Sequence, residues 1–211
     1  MNKTASPNVR LGMVVLGIAA LSGAALPALA QQEKGDWLVR ARALHLDSAN
    51  KDSTGLGLTV NNKTFLEVDI TRFLSPNLAV ELVLALPQKH TLKSNGSEIG
   101  SLKHLPPTLS LQYHATGLGG FRPYVGAGLN YTRFMDVEFV PALAALNPSI
   151  KKNSYGLSFQ VGADVLLGGG WVLNVDVKKV QIATEVTAGG SKLGKFKVDP
   201  VLFSVGAGMR F

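Results

Sequence analysis

No cysteine occurs anywhere in the 211 residues. That absence removes disulfide staples, thiolate metal sites and thiol nucleophiles together. Charge is scarce too: Asp, Glu, Lys and Arg make up 17% of the chain, which is lean for a soluble domain. Beyond residue 30 no uninterrupted apolar run reaches the length of a transmembrane helix. There is no arginine–aromatic cluster of the nucleic-acid-binding type, so the formal charge of +7 does not point to a nucleic-acid partner.

What the chain does have is 46% hydrophobic residues, 23 glycines and a distinctive start. Lys3 and Arg10 precede the apolar run Leu11 to Leu26, and Ala28-Leu29-Ala30 offers the small residues that a signal peptidase cuts after. Residues 1–30 therefore read as a cleavable signal peptide, with the mature chain beginning at Gln31 as a single domain, 31–211. Losing Lys3 and Arg10 takes the charge from +7 to about +5, a basic excess that suits loops among anionic lipids.

From Gly35 onward the pattern has period two, the signature of strands. Trp37, Val39, Ala41 and Ala43 alternate with Leu38, Arg40, Arg42 and Leu44. Leu66, Val68 and Ile70 alternate with Glu67, Asp69 and Thr71 in the segment Lys63 to Phe73, and Leu78, Val80, Leu82, Leu84 and Leu86 with Ala79, Glu81, Val83 and Ala85. A fourth segment runs from Thr108 to Ala115, and a fifth sets Pro123, Val125, Ala127, Leu129 and Tyr131 against Tyr124, Gly126, Gly128 and Asn130. A sixth and a seventh follow around Tyr155–Val165 and Trp171–Lys178. The eighth places Val201, Phe203, Val205, Ala207, Met209 and Phe211 opposite Leu202, Ser204, Gly206, Gly208 and Arg210.

Eight amphipathic segments, each near the roughly 9–11 residues of a bilayer-crossing strand, predict an all-β, eight-stranded antiparallel transmembrane barrel. The connections after segments two, four and six are short turns. Those after one, three, five and seven are long, at 48–62, 87–104, 136–152 and 183–197, and read as loops, with one or two helical turns at Ala142–Leu146. Short turns on the periplasmic side and long loops outside the cell are the asymmetry of an outer-membrane barrel. A soluble sandwich or lipocalin-like barrel is the alternative. Against it stand the loop asymmetry, the nearly charge-free apolar side, and the aromatics Trp37, Tyr131, Phe134, Tyr155, Trp171 and Phe211 near segment ends, where an interfacial girdle belongs.

Arg122-Pro123-Tyr124-Val125-Gly126-Ala127-Gly128-Leu129-Asn130-Tyr131-Thr132 resembles the most recognisable stretch of the outer membrane protein W family, which includes alkane-uptake porins. Leu105-Pro106-Pro107-Thr108-Leu109, then Leu111-Gln112-Tyr113-His114, Trp171 to Lys179 and the ending Gly206-Ala207-Gly208-Met209-Arg210-Phe211 support it in the same order. The loop Ser48 to Asn62 matches nothing in that pattern. The resemblance implies a narrow, largely hydrophobic interior through which small apolar solutes cross the lipopolysaccharide layer. It also implies that the terminal strand, with Phe203, Val205, Met209 and Phe211, is the signal read by the barrel-assembly machinery.

Three sets of candidate residues follow from a barrel of this width, whose interior just holds its side chains. Arg40, Arg42, Glu67, Asp69, Glu81, Asp164, Asp176 and Lys178 all face inward and are expected to pair as a polar network near the periplasmic half, either a structural plug or a polar path. Leu38, Leu44 and Val83 also face inward as a candidate hydrophobic constriction. Pro87, Pro106, Pro107 and Pro200 fall at the extracellular ends of strands, where a missing N–H weakens pairing and opens a lateral gap for an apolar solute.

The favoured function is a passive channel for small hydrophobic molecules, formed by a monomer in contact with outer-membrane lipid and lipopolysaccharide. A surface receptor or adhesin is the first alternative, through Lys51, Lys93, Lys103, Lys151, Lys152, Lys192 and Lys195 on the long loops. A lipid A-modifying enzyme is the second. Its nucleophile and base would need Ser and His close together, yet His45, His90, His104 and His114 are scattered and only Ser110 shares a face with His114. No cofactor or metal is expected.

Overall fold

A computed structural model describes residues 35–211. The expected signal peptide, residues 1–30, lies outside the described residues. In chain order the strands are β1 (Trp37–Asp47), β2 (Lys51–Asp52), β3 (Leu58–Val60), β4 (Lys63–Phe73) and β5 (Leu78–Ala85). Next come β6 (Gln88–Ser94), β7 (Ser97–Leu105), β8 (Thr108–His114) and β9 (Phe121–Phe139). A 3-10 helix, Pro141–Leu146, precedes β10 (Pro148–Ile150), β11 (Asn153–Gly168) and β12 (Trp171–Val180). The chain ends with β13 (Ala183–Ala188), β14 (Ser191–Lys197) and β15 (Val201–Arg210).

Eight of these, β1, β4, β5, β8, β9, β11, β12 and β15, pair antiparallel in a closed ring. Closure falls between β1 and β15, where Ala41 sits opposite Ala207 and Ala43 opposite Val205. Just below, Trp37 N–H donates to the Phe211 carbonyl at 3.1 Å and Phe211 N–H returns to that of Trp37 at 2.9 Å. The expected parity holds around the ring: Leu66, Leu129, Tyr155 and Val205 point out and are 74%, 66%, 80% and 59% exposed on the isolated chain. That outer apolar belt is the surface that meets lipid.

The four long connections carry short strands of their own. Residues 88–105 form the hairpin β6–β7, stitched to β3 on one side and to the top of β9 on the other. A second small sheet, β10-β13-β14-β2, rises beside it. Both hairpins were legible in their turns. Asn95-Gly96 (φ 47° and 85°) and Gly189-Gly190 (φ 54° and 81°) are two-residue connections with left-handed φ, the turns that match strand twist. The polar outer faces hid an inward stripe, in which Leu58, Leu92, Leu102, Phe134, Ile182, Val186 and Phe196 pack as an apolar roof.

Phe134 is thereby removed from the expected aromatic girdle. It shares the parity of Thr132 and Asn130, faces in, and is 1% exposed within the roof. Trp37, Tyr155, Trp171 and Phe211 do point outward, and Tyr131 stacks on Tyr155 with ring centres 5.1 Å apart.

Inside, the barrel has room for its charged side chains because β15 withholds its own. A Cβ on Gly206 would stand 2.7 Å from Arg42 Cγ, and one on Gly208 would stand 2.4 Å from Arg40 Cγ. Replacing Gly206 by Val is expected to cost about 1–3 kcal/mol of unfolding free energy through overpacking. Ala207→Val, on the outward face of the same strand, should cost close to nothing; urea titration followed by Trp37 and Trp171 fluorescence compares the two.

Candidate functional site

The eight inward charges converge in one buried cluster. Arg40 Nε donates to Asp69 Oδ1 at 2.8 Å, its Nη1 to Asp164 Oδ1 at 3.0 Å and its Nη2 to Glu81 Oε1 at 2.9 Å. Arg42 Nε lies 2.7 Å from Glu67 Oε1, and its Nη2 is 3.4 Å from the same Glu81 oxygen. Glu81 also faces Lys178 Nζ at 3.4 Å through its other oxygen, so one carboxylate meets all three cations. Asp176 accepts a hydrogen bond from the Tyr124 hydroxyl at 2.9 Å.

Uncharged partners that parity alone did not single out complete the cluster. Thr71 accepts from Arg40, Gln160 donates to Glu81 at 3.0 Å, and Asn174 bridges Tyr124 and Asp164 at 3.0 and 2.7 Å. Each sits at an inward position of its strand, so alternation was the available signal, but polarity without charge did not mark them. Arg40, Asp69, Glu81, Gln112 and His114 are wholly buried, and they fill the middle of the barrel. His114 Nε2 is bonded to Gln112 Oε1 at 2.9 Å, and its Nδ1 is 3.9 Å from Asp164.

The three candidate constriction residues do not meet at one level. Leu38 packs with Phe73, Ala79 and Val172 at the periplasmic end. Leu44 and Val83 line a cavity on the opposite side of the charged cluster. Leu38 and Leu44 are six positions apart, which is about 20 Å along a strand.

That upper cavity is narrow, with room for little more than a water molecule, and opens partly to solvent. Its walls include Leu44, Leu46, Val83 and Ala85, and its polar base is Glu67, Lys178, Thr108 and Asn130. Val180, Ile182 and Leu202 belong both to the cavity wall and to the apolar roof, so one apolar interior runs from the roof down to the charges.

Beside the cavity the wall is interrupted. Pairing of β5 with β8 ends at Val83 opposite Thr108, and pairing resumes in the hairpin only at Gln88 opposite His104. Pro87 lies in one flank of this break, Pro106 and Pro107 in the other. Val83 and Ala85 from one flank and Pro106 and Thr108 from the other all line the cavity. Asn130, another residue that sequence reasoning left unmarked, braces the second flank: its Nδ2 donates to the carbonyls of Pro106 and Pro107 at 3.3 and 3.2 Å. Pro200 is different. Its carbonyl accepts Val180 N–H at 3.1 Å, and two residues earlier Val198 N–H donates to the Ile182 carbonyl at 2.9 Å, so it lines the cavity with the chain bridged on both sides.

Directly above the break, at the root of the hairpin, His90 and His104 stack with ring centres 4.6 Å apart. His90 Nδ1 is 3.0 Å from the Asn61 carbonyl. The lysines of the outer surface are mostly exposed; Lys103 pairs with Asp136 at 2.8 Å and Lys192 with Glu185. Phe203, Val205 and Met209 on β15, and Phe211 just after it, all face outward.

A family model described as the OmpW family matches residues 33–211. The chain belongs to the OmpW family. Outer membrane protein W of Vibrio cholerae is 38% identical over 95% of this chain and 97% of its own length. The crystal structure of the outer membrane protein OprG from Pseudomonas aeruginosa superposes with a TM-score of 0.73 at 29% identity, covering 85% of this chain and 97% of that one. A third relative, the dibenzothiophene metabolism operon protein PahQ of Pseudomonas aeruginosa, is 32% identical over 55% of this chain and 54% of its own. This OmpW-family chain is therefore an outer-membrane β-barrel, with β6–β7 and the second sheet on the extracellular side.

Two predictions follow from the charges. Glu81→Gln leaves three buried cations facing a neutral amide, and removing one partner of such a cluster should cost about 3–5 kcal/mol in urea unfolding. The histidine pair sets a pH dependence in the hairpin. Burial, then the neighbouring His90 and Lys63, pushes His104 down to about 3, and burial lowers His90. The His104 ring therefore stays neutral in the closed hairpin where an opened one takes up a proton, below about pH 6.5, and His90 is shifted in the same direction. Closure is fully favoured above that pH and weakens as pH falls toward 3, with the opening constant rising up to about tenfold per pH unit through His104 and His90 adding in the same direction. Amide hydrogen exchange of residues 88–105, corrected for intrinsic rates, should show this rise, and the double variant His90→Gln/His104→Gln should flatten it.

Proposed function

We propose that this barrel is a passive conduit for small hydrophobic molecules, which pass from the extracellular roof into the upper cavity and leave sideways into the outer membrane through the break between β5 and β8. The observation that carries this reading is the side position of the break: an apolar interior ends downward on a packed charged cluster and has its wall interrupted beside that end. A molecule without hydrogen-bonding groups gains nothing from the buried charges below and loses nothing by entering lipid. The name of the relative PahQ supports the solute class, since dibenzothiophene is an apolar fused-ring compound.

In this reading Arg40, Arg42, Glu67, Asp69, Glu81, Asp164, Asp176 and Lys178 are the plug that turns the solute aside. Leu44 and Val83 form its apolar passage, and Pro87, Pro106 and Pro107 keep the side wall open. The outward row Phe203, Val205, Met209 and Phe211 serves assembly, as the signal for the barrel-assembly machinery, and the working unit is a monomer.

The triple variant Pro87→Ala/Pro106→Ala/Pro107→Ala restores three N–H donors to the flanks and lets the ladder close. Uptake of octane into vesicles with lipopolysaccharide in the outer leaflet and phospholipid in the inner one should fall severalfold, while ion conductance in planar bilayers stays low in both proteins. Unchanged octane uptake by the triple variant, checked for folding by circular dichroism, would overturn lateral release.

A further inference from the structure

We propose that the upper cavity selects apolar molecules carrying one uncharged hydrogen-bonding head group, an alcohol or an ester, seated on Lys178, and that it discriminates against carboxylates of the same chain length. This rests on the conduit reading and names its preferred solute.

Among the described residues, the polar base of the cavity has one donor group with capacity to spare. Asn130 is committed: its Nδ2 serves Pro106, Pro107 and Thr108, and its Oδ1 accepts from Thr132 at 2.7 Å. Thr108 donates to the Pro106 carbonyl at 3.3 Å, and Glu67 is held by Arg42 at 2.7 Å. Lys178 is 2% exposed, lines the cavity, and carries three donors. Against these, its contact is a 3.4 Å approach to Glu81 Oε2, the long end of the hydrogen-bonding range. A buried ammonium in this position gains from any acceptor brought to it, because donors left without partners cost desolvation free energy.

Charge decides which acceptor. Lys178 acts electrostatically on Glu67, Glu81 and Asp176, and Arg42 is the second cation at this level. Across the whole cluster three cations, Arg40, Arg42 and Lys178, meet five carboxylates, Glu67, Asp69, Glu81, Asp164 and Asp176. Arg122 and Arg210 bring the overall count level, but they stand on the periplasmic side of the cluster, opposite Asp164 and Leu38 and away from Lys178. A carboxylate head on Lys178 would be a further negative charge among Glu67, Glu81 and Asp176 in a water-poor site, where like charges repel strongly. A hydroxyl or ester oxygen takes the same hydrogen bond without that repulsion. The tail then has Leu44, Leu46 and Val83 to lie against and the break beside Pro106 to leave by.

The test compares octanol, methyl octanoate, octane and octanoate at neutral pH in the vesicles described above, each rate taken relative to protein-free vesicles. Octanol and the methyl ester should enter about tenfold faster than octanoate or more. Glu67→Gln, which removes one negative charge and keeps the shape, should narrow that ratio by speeding octanoate. Lys178→Met should bring the octanol-to-octane ratio toward one, and circular dichroism confirms that either variant is folded. Octanoate keeping pace with octanol, or both ratios unmoved in the folded variants, overturns the head-group proposal while leaving the conduit in place. If octane too fails to enter above the protein-free rate, the conduit reading falls, and this proposal with it.

Discussion

In hydrocarbon every backbone N–H and C=O must find a partner within the protein, because an unpaired group there costs several kcal/mol. The pairing of β1 with β15 meets that demand for the two strands that would otherwise be edges. Once the ring is closed with eight strands, the interior is narrow enough that side chains fill it. The width of the interior, and with it the choice of small residues on β15 and large charged ones on β1, follows from closure.

The charged cluster in turn protects the register that closure needs. A slip of one residue in β1 would turn Arg40 and Arg42 outward into lipid and their apolar neighbours inward. Burying so many charges is not in itself a strong source of stability, since desolvation offsets most of the Coulomb attraction. Its value here is discrimination between registers: only the native one lets Glu81 meet Arg40, Arg42 and Lys178 together. Gly206 and Gly208 are the complement of that arrangement, because the guanidinium stems lie where their side chains would be.

Much of this was legible from period-two alternation. Parity alone placed Arg40, Glu67 and Lys178 inside and Leu66 and Val205 outside, because a strand in a closed barrel has only two faces and one of them is lipid. Alternation carries no information about height, which is why Leu38 was grouped with Leu44 although they sit on opposite sides of the charges. Nor does it mark uncharged partners such as Asn174 and Asn130, whose roles come from the strands they reach across to. The extracellular hairpins were obscured by composition: lysines and serines on the outer face of β6 and β7 read as loop, while the Asn95-Gly96 turn pointed to a hairpin. Above the membrane the outer face is wet, so the polar residues there follow from solvent and not from a lack of structure.

The break between β5 and β8 is in tension with the demand for pairing, and the tension explains its composition. An interruption near lipid exposes donors and acceptors on both flanks, and proline is the residue that removes the donor outright. Three of the seven residues in the two flanks, Leu84–Pro87 and Leu105–Pro107, are prolines. The acceptors left over on the β8 side are the carbonyls of Pro106 and Pro107. Asn130 reaches both from the next strand, and Tyr131 N–H donates to the second at 3.1 Å. One flank is therefore satisfied from β9 and the other stays on β4 as far as Glu67 opposite Ala85. Pairing on the far side of each flank, with β9 and with β4, thus continues beyond the point where pairing between β5 and β8 stops.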